Sequence, residues 1–273
     1  MKLLENKVAI VTGAARGIGR ATAELFAQHG SKVVMSDIDP GPLNEAVSAV
    51  QKLGGQALAF PGDVTDPKFP DALVKATLDK FSGLDIIVNN AGYTWDGVIH
   101  KMTDQQWQAI IDCHLTAPFR IIRAASTFIR ETAKKEQAEK GTAQARKIIC
   151  ISSTSGTRGN AGQANYSSGK SGVIGLAKTL AKEWGMFNVQ ANAVAFGWVD
   201  TRLTHAKEEQ VKIKRENVEI ELGIPGDRLH MMAKIIPLGR AGTPQEAAGA
   251  VLFFASPLSD YVSGQVLEIA GGL

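Results

Sequence analysis

Residues 7–28, KVAIVTGAARGIGRATAELFAQ, join a β-branched apolar run to an amphipathic helix through a glycine-rich turn. Few folds accept that join. Gly13, Gly17 and Gly19 carry no Cβ, so the chain can turn sharply there and let an anion come close to the backbone. The helix that follows offers free N–H groups and the positive end of its dipole to the same point. A glycine-rich turn alone is a weak signal. Between a strand and a helix, it has the context that a dinucleotide phosphate site requires. Arg16 and Ile18 complete the turn, and Gly30 stops the helix.

The rest of the chain repeats this alternation. KVVMSD, ALAF, LDIIVNN, KIICIS, VQANAVA and QVLEIA read as further strands, with helices beginning near Gly17, Pro42, Asp66, Thr103, Asn165 and Thr243. Several strands are apolar throughout, as expected where helices cover both faces of a parallel sheet. The pattern predicts an α/β fold, a doubly wound parallel seven-stranded Rossmann sheet with helices on both faces, in a single dinucleotide-binding domain over 1–273.

Two stretches break the rhythm. Residues 131–146 are polar and are expected to extend a helix and loop back over the surface as a solvated insertion. Residues 202–236 leave the carboxyl edge of the sixth strand, where ligands bind in such sheets. They hold the helix-like KEEQVKIKRENVEIEL, then GIPG, then HMMAKII. A substrate lid is expected there, with Met231, Met232, Ile235 and Ile236 as its apolar inner face; packing on a neighbouring subunit is the alternative.

Composition narrows the partners. The 273 residues are 44% hydrophobic and 21% charged, ordinary for a soluble globular protein, and a net charge of +3 is too small to argue for nucleic acid. Cys113 and Cys150 read as isolated core residues without metal-ligand spacing, which points to a reducing compartment. The amino terminus runs straight into a strand, and no segment approaches the ~20 apolar residues of a membrane span. A cytoplasmic protein with no membrane or nucleic-acid partner is expected.

The second strand closes on Asp37, eighteen residues beyond Gly19, where a carboxylate can accept hydrogen bonds from adenosine ribose hydroxyls. The same charge repels a 2′-phosphate, since two like charges 4 Å apart cost about 4 kcal/mol at an effective dielectric of 20. Arg16 argues the other way, because it could reach a 2′-phosphate from the glycine turn. Asp37 occupies the position itself, so NAD(H) is expected, with NADP(H) left open. After the third strand, Asp63 and Val64 could meet the adenine amino group and ring, or Asp63 could cap a helix. Asn89-Asn90-Ala91-Gly92 ends the fourth strand with small residues that permit close approach and amides that can tie strands together.

Tyr166 and Lys170 lie one turn apart in a helical stretch, with Ser153 thirteen residues before Tyr166. A phenol has a reference pKa of about 10, and an ammonium held close favours its phenolate. A nearby serine hydroxyl could bond a carbonyl or alcohol oxygen. Tyr-x-x-x-Lys is also a common accidental spacing on an amphipathic helix, and the cofactor signals elsewhere decide between the two.

Together TGAARGIG, Asp37, Asp63-Val64, NNAG, Ser153, Tyr166-x-x-x-Lys170 and the region after Asn192 resemble the short-chain dehydrogenase/reductase family across nearly the whole chain. The resemblance implies that Tyr166 protonates a carbonyl oxygen during reduction and that Ser153, rather than Ser152, orients and polarises it. It implies that Lys170 binds the nicotinamide ribose and lowers the Tyr166 pKa, while Gly197, Val199 and Thr201 line the nicotinamide. Where the family usually has asparagine, this chain has His114. It could keep that residue's backbone role, join a proton relay as a titrating group, or be a buried helix histidine. Ala195-Phe196-Gly197 also departs from the usual proline before the glycine.

Within the family the wording of GNAGQANYSSGKSGVIGL and the carboxyl third looks most like 3-oxoacyl-acyl-carrier-protein reductases. That implies an acyl-thioester substrate and a homotetramer whose interfaces use helices around 103–130 and 165–184 and the terminal strand. A dehydrogenase of sugars, steroids or small secondary alcohols is the alternative, and a non-catalytic NAD-binding protein the rival from another class.

Overall fold

The structure is a computed structural model in which residues 2–206, 212–215 and 218–273 are described. The seven expected strands are present as β1 (Val8–Thr12), β2 (Lys32–Asp37), β3 (Gln56–Pro61), β4 (Ile86–Asn89), β5 (Arg146–Ser153), β6 (Val189–Phe196) and β9 (Val266–Ile269). They form one sheet in the order β3-β2-β1-β4-β5-β6-β9, with every neighbouring pair parallel. The order reverses between β1 and β4, the switch point at which such sheets open a crevice at their carboxyl ends.

Strand side chains alternate between two apolar layers. Ile10, Val34, Ile87 and Ile148 enter one, while Ala9, Val33, Ile86 and Ile149 enter the other. Helices α1 (Gly17–Gln28), α2 (Pro40–Lys52) and α9 (Pro244–Ala255) pack on the second layer through Phe26, Leu43 and Phe254. The first is covered by α3 (Phe69–Phe81), α5 (Ala117–Lys140) and α7 (Ala164–Trp184) through Leu73, Ile121 and Val173. Helix α4 (Asp104–Ile111) runs into α5 through a π-helical turn, Asp112–Thr116, and the short α6 (Thr154–Arg158) follows β5. The polar stretch extends α5 to Lys140 and loops back to β5 at Arg146, as expected.

The segment after β6 departs from expectation. The helix-like stretch is a hairpin where it is described: β7 (Lys212–Arg215) pairs antiparallel with β8 (Val218–Glu221), while residues 207–211 and 216–217 lie outside the described residues. Ile213 and Ile220 face each other in register and are buried, with charged residues between. Burying that alternating stripe outweighs the helix propensity of the Lys and Glu residues. Helix α8 (Gly226–Ile235) follows, but Met231 and Ile235 are exposed; Ile236 is buried. The four residues therefore do not make one inward apolar face. Among the described residues, no helix is long and apolar enough to cross a membrane.

Candidate active site

The carboxyl ends of the strands open into two adjoining cavities of 510 and 110 Å³. They share Ile18, Asn90, Gly92, Tyr93, Thr201 and Leu203 and so form one cleft. The larger is lined by Gly13, Arg16, Gly17, Asp37, Asp63, Val64 and Ala91, and the smaller by His114, Ser153, Tyr166, Lys170, Gly197 and Val199. Every catalytic and cofactor-binding residue expected from the sequence lines this cleft except Gly19.

The nucleotide end is built from backbone. Gly13 and Gly17 adopt φ of 65° and 55°, a left-handed conformation that suits glycine. A Cβ on Gly13 would come 2.8 Å from Ala91 Cα, so the turn lies against the β4 end. Arg16 occupies the N-cap of α1 without a side-chain cap, whereas α4 and α9 each carry a Thr capping box. The first N–H groups of α1 are thus left for an anion in the cleft. Thr12 Oγ1 accepts from the backbone N–H groups of Asn90 and Ala91, each at 3.0 Å, and Asn90 Nδ2 donates to Thr12 O at 2.9 Å and Gly13 O at 3.1 Å. These bonds lock β1 to β4 at the switch point.

Asp37 is held by two backbone donors, Ala15 N–H on Oδ2 and Asp39 N–H on Oδ1, each at 3.1 Å. Arg16 points its Nη1 at Asp39 Oδ2, 2.7 Å away. Asp63 Oδ1 accepts from the Thr65 N–H at 2.8 Å and its hydroxyl at 2.7 Å, so it makes a local turn as well as lining the cleft. These cradles suit a dinucleotide: the glycines lie where added Cβ atoms would crowd the turn, and the 510 Å³ volume is that of a small-molecule pocket.

At the catalytic end, α7 presents Tyr166 and Lys170 to the end of β5. Lys170 Nζ donates to Ile151 O at 2.6 Å and sits 5.6 Å from the centre of the Tyr166 ring. Ser152 is buried and its hydroxyl donates to Lys170 O at 2.6 Å, which ties the helix to the sheet, while Ser153 beside Tyr166 favours its phenolate. Burial pushes the Tyr166 phenol up to about 12, against the lowering influence of Ser153, and brings Lys170 down to about 8. Desolvation of the phenolate is the largest influence on this phenol.

His114 lies in the π-helical turn, 3% exposed, with its ring edge-on to Tyr166 at 5.0 Å between centres. Its Nε2 is 2.7 Å from Tyr93 O and 3.3 Å from Tyr93 N; the shorter contact, to a group that can only accept, favours the proton on Nε2. Burial and the Lys170 charge hold its pKa well below 6.5. The neutral form is thereby favoured at neutral pH. Such a group takes up a proton in the unfolded chain before it does so in the native one, so it costs nothing above pH ~6.5 and destabilises increasingly below it. We expect urea unfolding to show His114→Asn losing less stability than the parent on acidification from pH ~6.5, by up to about 1.4 kcal/mol per pH unit; parallel curves would refute this.

Sequence reasoning missed Asn165. It is fully buried, its Nδ2 donates to Trp95 O at 3.1 Å and Gln106 O at 3.0 Å, and its Oδ1 accepts from the Tyr166 N–H at 2.8 Å, fixing the start of α7. Its neighbour Tyr166 was the available signal. Lys214 of the hairpin also lines the larger cavity, so this segment reaches the nucleotide end. Phe196 ends β6 buried at 4% exposure, and Gly197 abuts Ala270, 2.9 Å from where its Cβ would be.

A family model described as enoyl-(acyl carrier protein) reductase matches residues 13–273. The 3-oxoacyl-[acyl-carrier-protein] reductase FabG of Vibrio cholerae serotype O1 is 38% identical over 270 residues, 99% of this chain and 98% of the relative. A 3-oxoacyl-[acyl-carrier-protein] reductase of Synechocystis sp. is 39% identical over 275 residues, 100% of this chain and 99% of the relative. The FabG of Escherichia coli K12 is 36% identical over 269 residues, 98% of each.

Proposed function

The chain belongs to the short-chain dehydrogenase/reductase family, and on that premise we propose that it reduces the carbonyl of a 3-oxoacyl thioester carried on acyl carrier protein, with Tyr166 as general acid and base. The observation that carries the reading is the meeting of Ser153, Tyr166 and Lys170 at the inner end of the nucleotide cleft. The nicotinamide cofactor, when bound, supplies the hydride. Ser153 orients the carbonyl oxygen, and Tyr166 gives it a proton. Burial keeps Tyr166 protonated at neutral pH, the form an acid needs. Ser153 beside the phenol favours the phenolate left behind, and so does the Lys170 charge, 5.6 Å from the ring centre.

Gly13, Gly17, Ile18 and Gly19 form the pyrophosphate turn, with Asp63, Val64, Asn90, Ala91 and Gly92 around the adenosine and Gly197, Val199 and Thr201 beside the nicotinamide. Asp37 selects NAD(H): its carboxylate is fixed by two backbone donors and cannot swing away from a 2′-phosphate. The described part of 202–236, which brings Leu203 and Lys214 to the cleft, covers the bound ligands. A homotetramer fits the same reading, because β9 is an edge strand with Leu267 37% exposed.

The test follows oxidation of the reduced cofactor by its near-ultraviolet absorbance over 3-oxoacyl thioesters, sugars, steroids and small secondary alcohols or their ketones, with NADH and NADPH. A 3-oxoacyl thioester with NADH is expected to give the highest kcat/KM. If another class exceeds it by more than about tenfold, the substrate assignment is wrong.

A further inference from the structure

Arg16 lies on the nucleotide cleft beside Asp37 and Ile38, and is the cation there that comes from the glycine turn; Arg202 and Lys214 come from the segment after β6. Its guanidinium is engaged by Asp39, Nη1 to Oδ2 at 2.7 Å. Asp39 does not line the cleft. It occupies the N-cap of α2 yet makes no side-chain cap, its carboxylate being turned to Arg16 instead.

We propose that Asp39 is a positioning residue for cofactor selection: by engaging Arg16 it withholds the cation that would otherwise receive a phosphate monoester on the adenosine ribose 2′ oxygen. This rests on the reading of Asp37 as the residue that selects NAD(H), and divides selection between two carboxylates that act differently. Asp37 repels the phosphate directly. Asp39 denies it a partner. A guanidinium is the natural bidentate ligand for a phosphate, and Arg16 starts from the turn in which such a ligand would sit. Arg16 and Asp39 side chains are 39% and 34% exposed, so their pair is weak enough for Arg16 to exchange one anion for another. With Asp37 in place, a freed Arg16 is opposed by a fixed negative charge. With Asp37 removed but Asp39 present, the phosphate must compete for Arg16. The two substitutions should therefore reinforce each other.

The experiment measures Kd for NADH and NADPH by fluorescence on the full chain carrying Asp37→Ser, Asp39→Ser or both, each with and without Arg16→Ala. Serine is itself a good N-cap residue, so α2 should persist, and an unchanged Tm checks this. In the Asp37→Ser background, Asp39→Ser should shift the NADPH-to-NADH affinity ratio toward NADPH by about fivefold, and Arg16→Ala should erase that gain. Asp39→Glu should keep the parental ratio. A shift of less than about twofold, or a gain that survives Arg16→Ala, overturns the proposal. Failure of the Asp37 reading shows separately, as a parental protein that binds NADPH at least as tightly as NADH.

Discussion

Tyr166→Phe is expected to lower turnover by about a thousandfold while leaving NADH affinity within about twofold, because a positioned acid contributes roughly 10²–10⁴ in rate. The change removes one oxygen and little else. The ring keeps its edge-on contact with His114 at 5.0 Å, and the backbone N–H keeps its bond to Asn165 Oδ1. Lys170 keeps its own anchor on Ile151 O, so the neighbouring charge stays in place. Folding should survive, because the lost hydroxyl belongs to a phenol that burial already disfavours in its charged form. Single-turnover rates and equilibrium NADH binding, measured on the same preparation, separate the two effects. A variant that retained more than about a tenth of the parental rate would remove Tyr166 from the acid's role.

Gly19→Ala is expected to weaken cofactor binding by about a hundredfold or more and to cost about 2 kcal/mol of stability, a typical penalty for forcing volume into a packed site. The new Cβ would lie 2.2 Å from Gly13 O and 2.5 Å from Asn90 Nδ2. Neither neighbour can yield. Gly13 O belongs to the turn itself, and Asn90 Nδ2 is committed to Thr12 O and Gly13 O. The strain therefore passes to the bonds that close β1 onto β4, at the point where the phosphates would lie. Gly175→Ala provides the contrast: it sits within α7 with nothing within 4 Å of an added Cβ. That variant should bind NADH normally and gain up to about 1 kcal/mol from helix propensity. Equal behaviour of the two variants in denaturant titration would contradict this account.

The seven strands were legible because each is a short apolar run bounded by turn residues, and the cleft residues because they stand where those runs end. Asp37 and Ser153 are the last residues of β2 and β5, and Asn90 follows β4 directly, so chain position placed them at one edge. The hairpin was misread although its signal was present: VKIKRENVEIEL alternates apolar and charged residues over both arms. Lys and Glu favour helices locally, and only the burial of Ile213 against Ile220 decides for strands. The π-helical turn at His114 was not legible, because five residues are too few to show a period of their own. The Tyr166 pKa was missed for another reason. Spacing places Lys170 nearby, but desolvation depends on everything packed around the phenol. The Arg16–Asp39 pair joins residues 23 apart whose proximity exists only once β2 lies beside β1.

The ring of His114 also has consequences for tracing this chain's kin. It fills space directly over Gly92, where a Cβ would fall 2.2 Å from His114 Cε1, and its own Cβ stands 3.1 Å from where one would be on Gly169. The histidine ring therefore demands glycine at the position following β4, whereas the contact at Gly169 is one that any side chain at 114 would make. Transplanting the histidine alone into a relative with alanine at the position of Gly92 would produce a clash. Gly92 and His114 taken together are a search signature for proteins built with the same wedge.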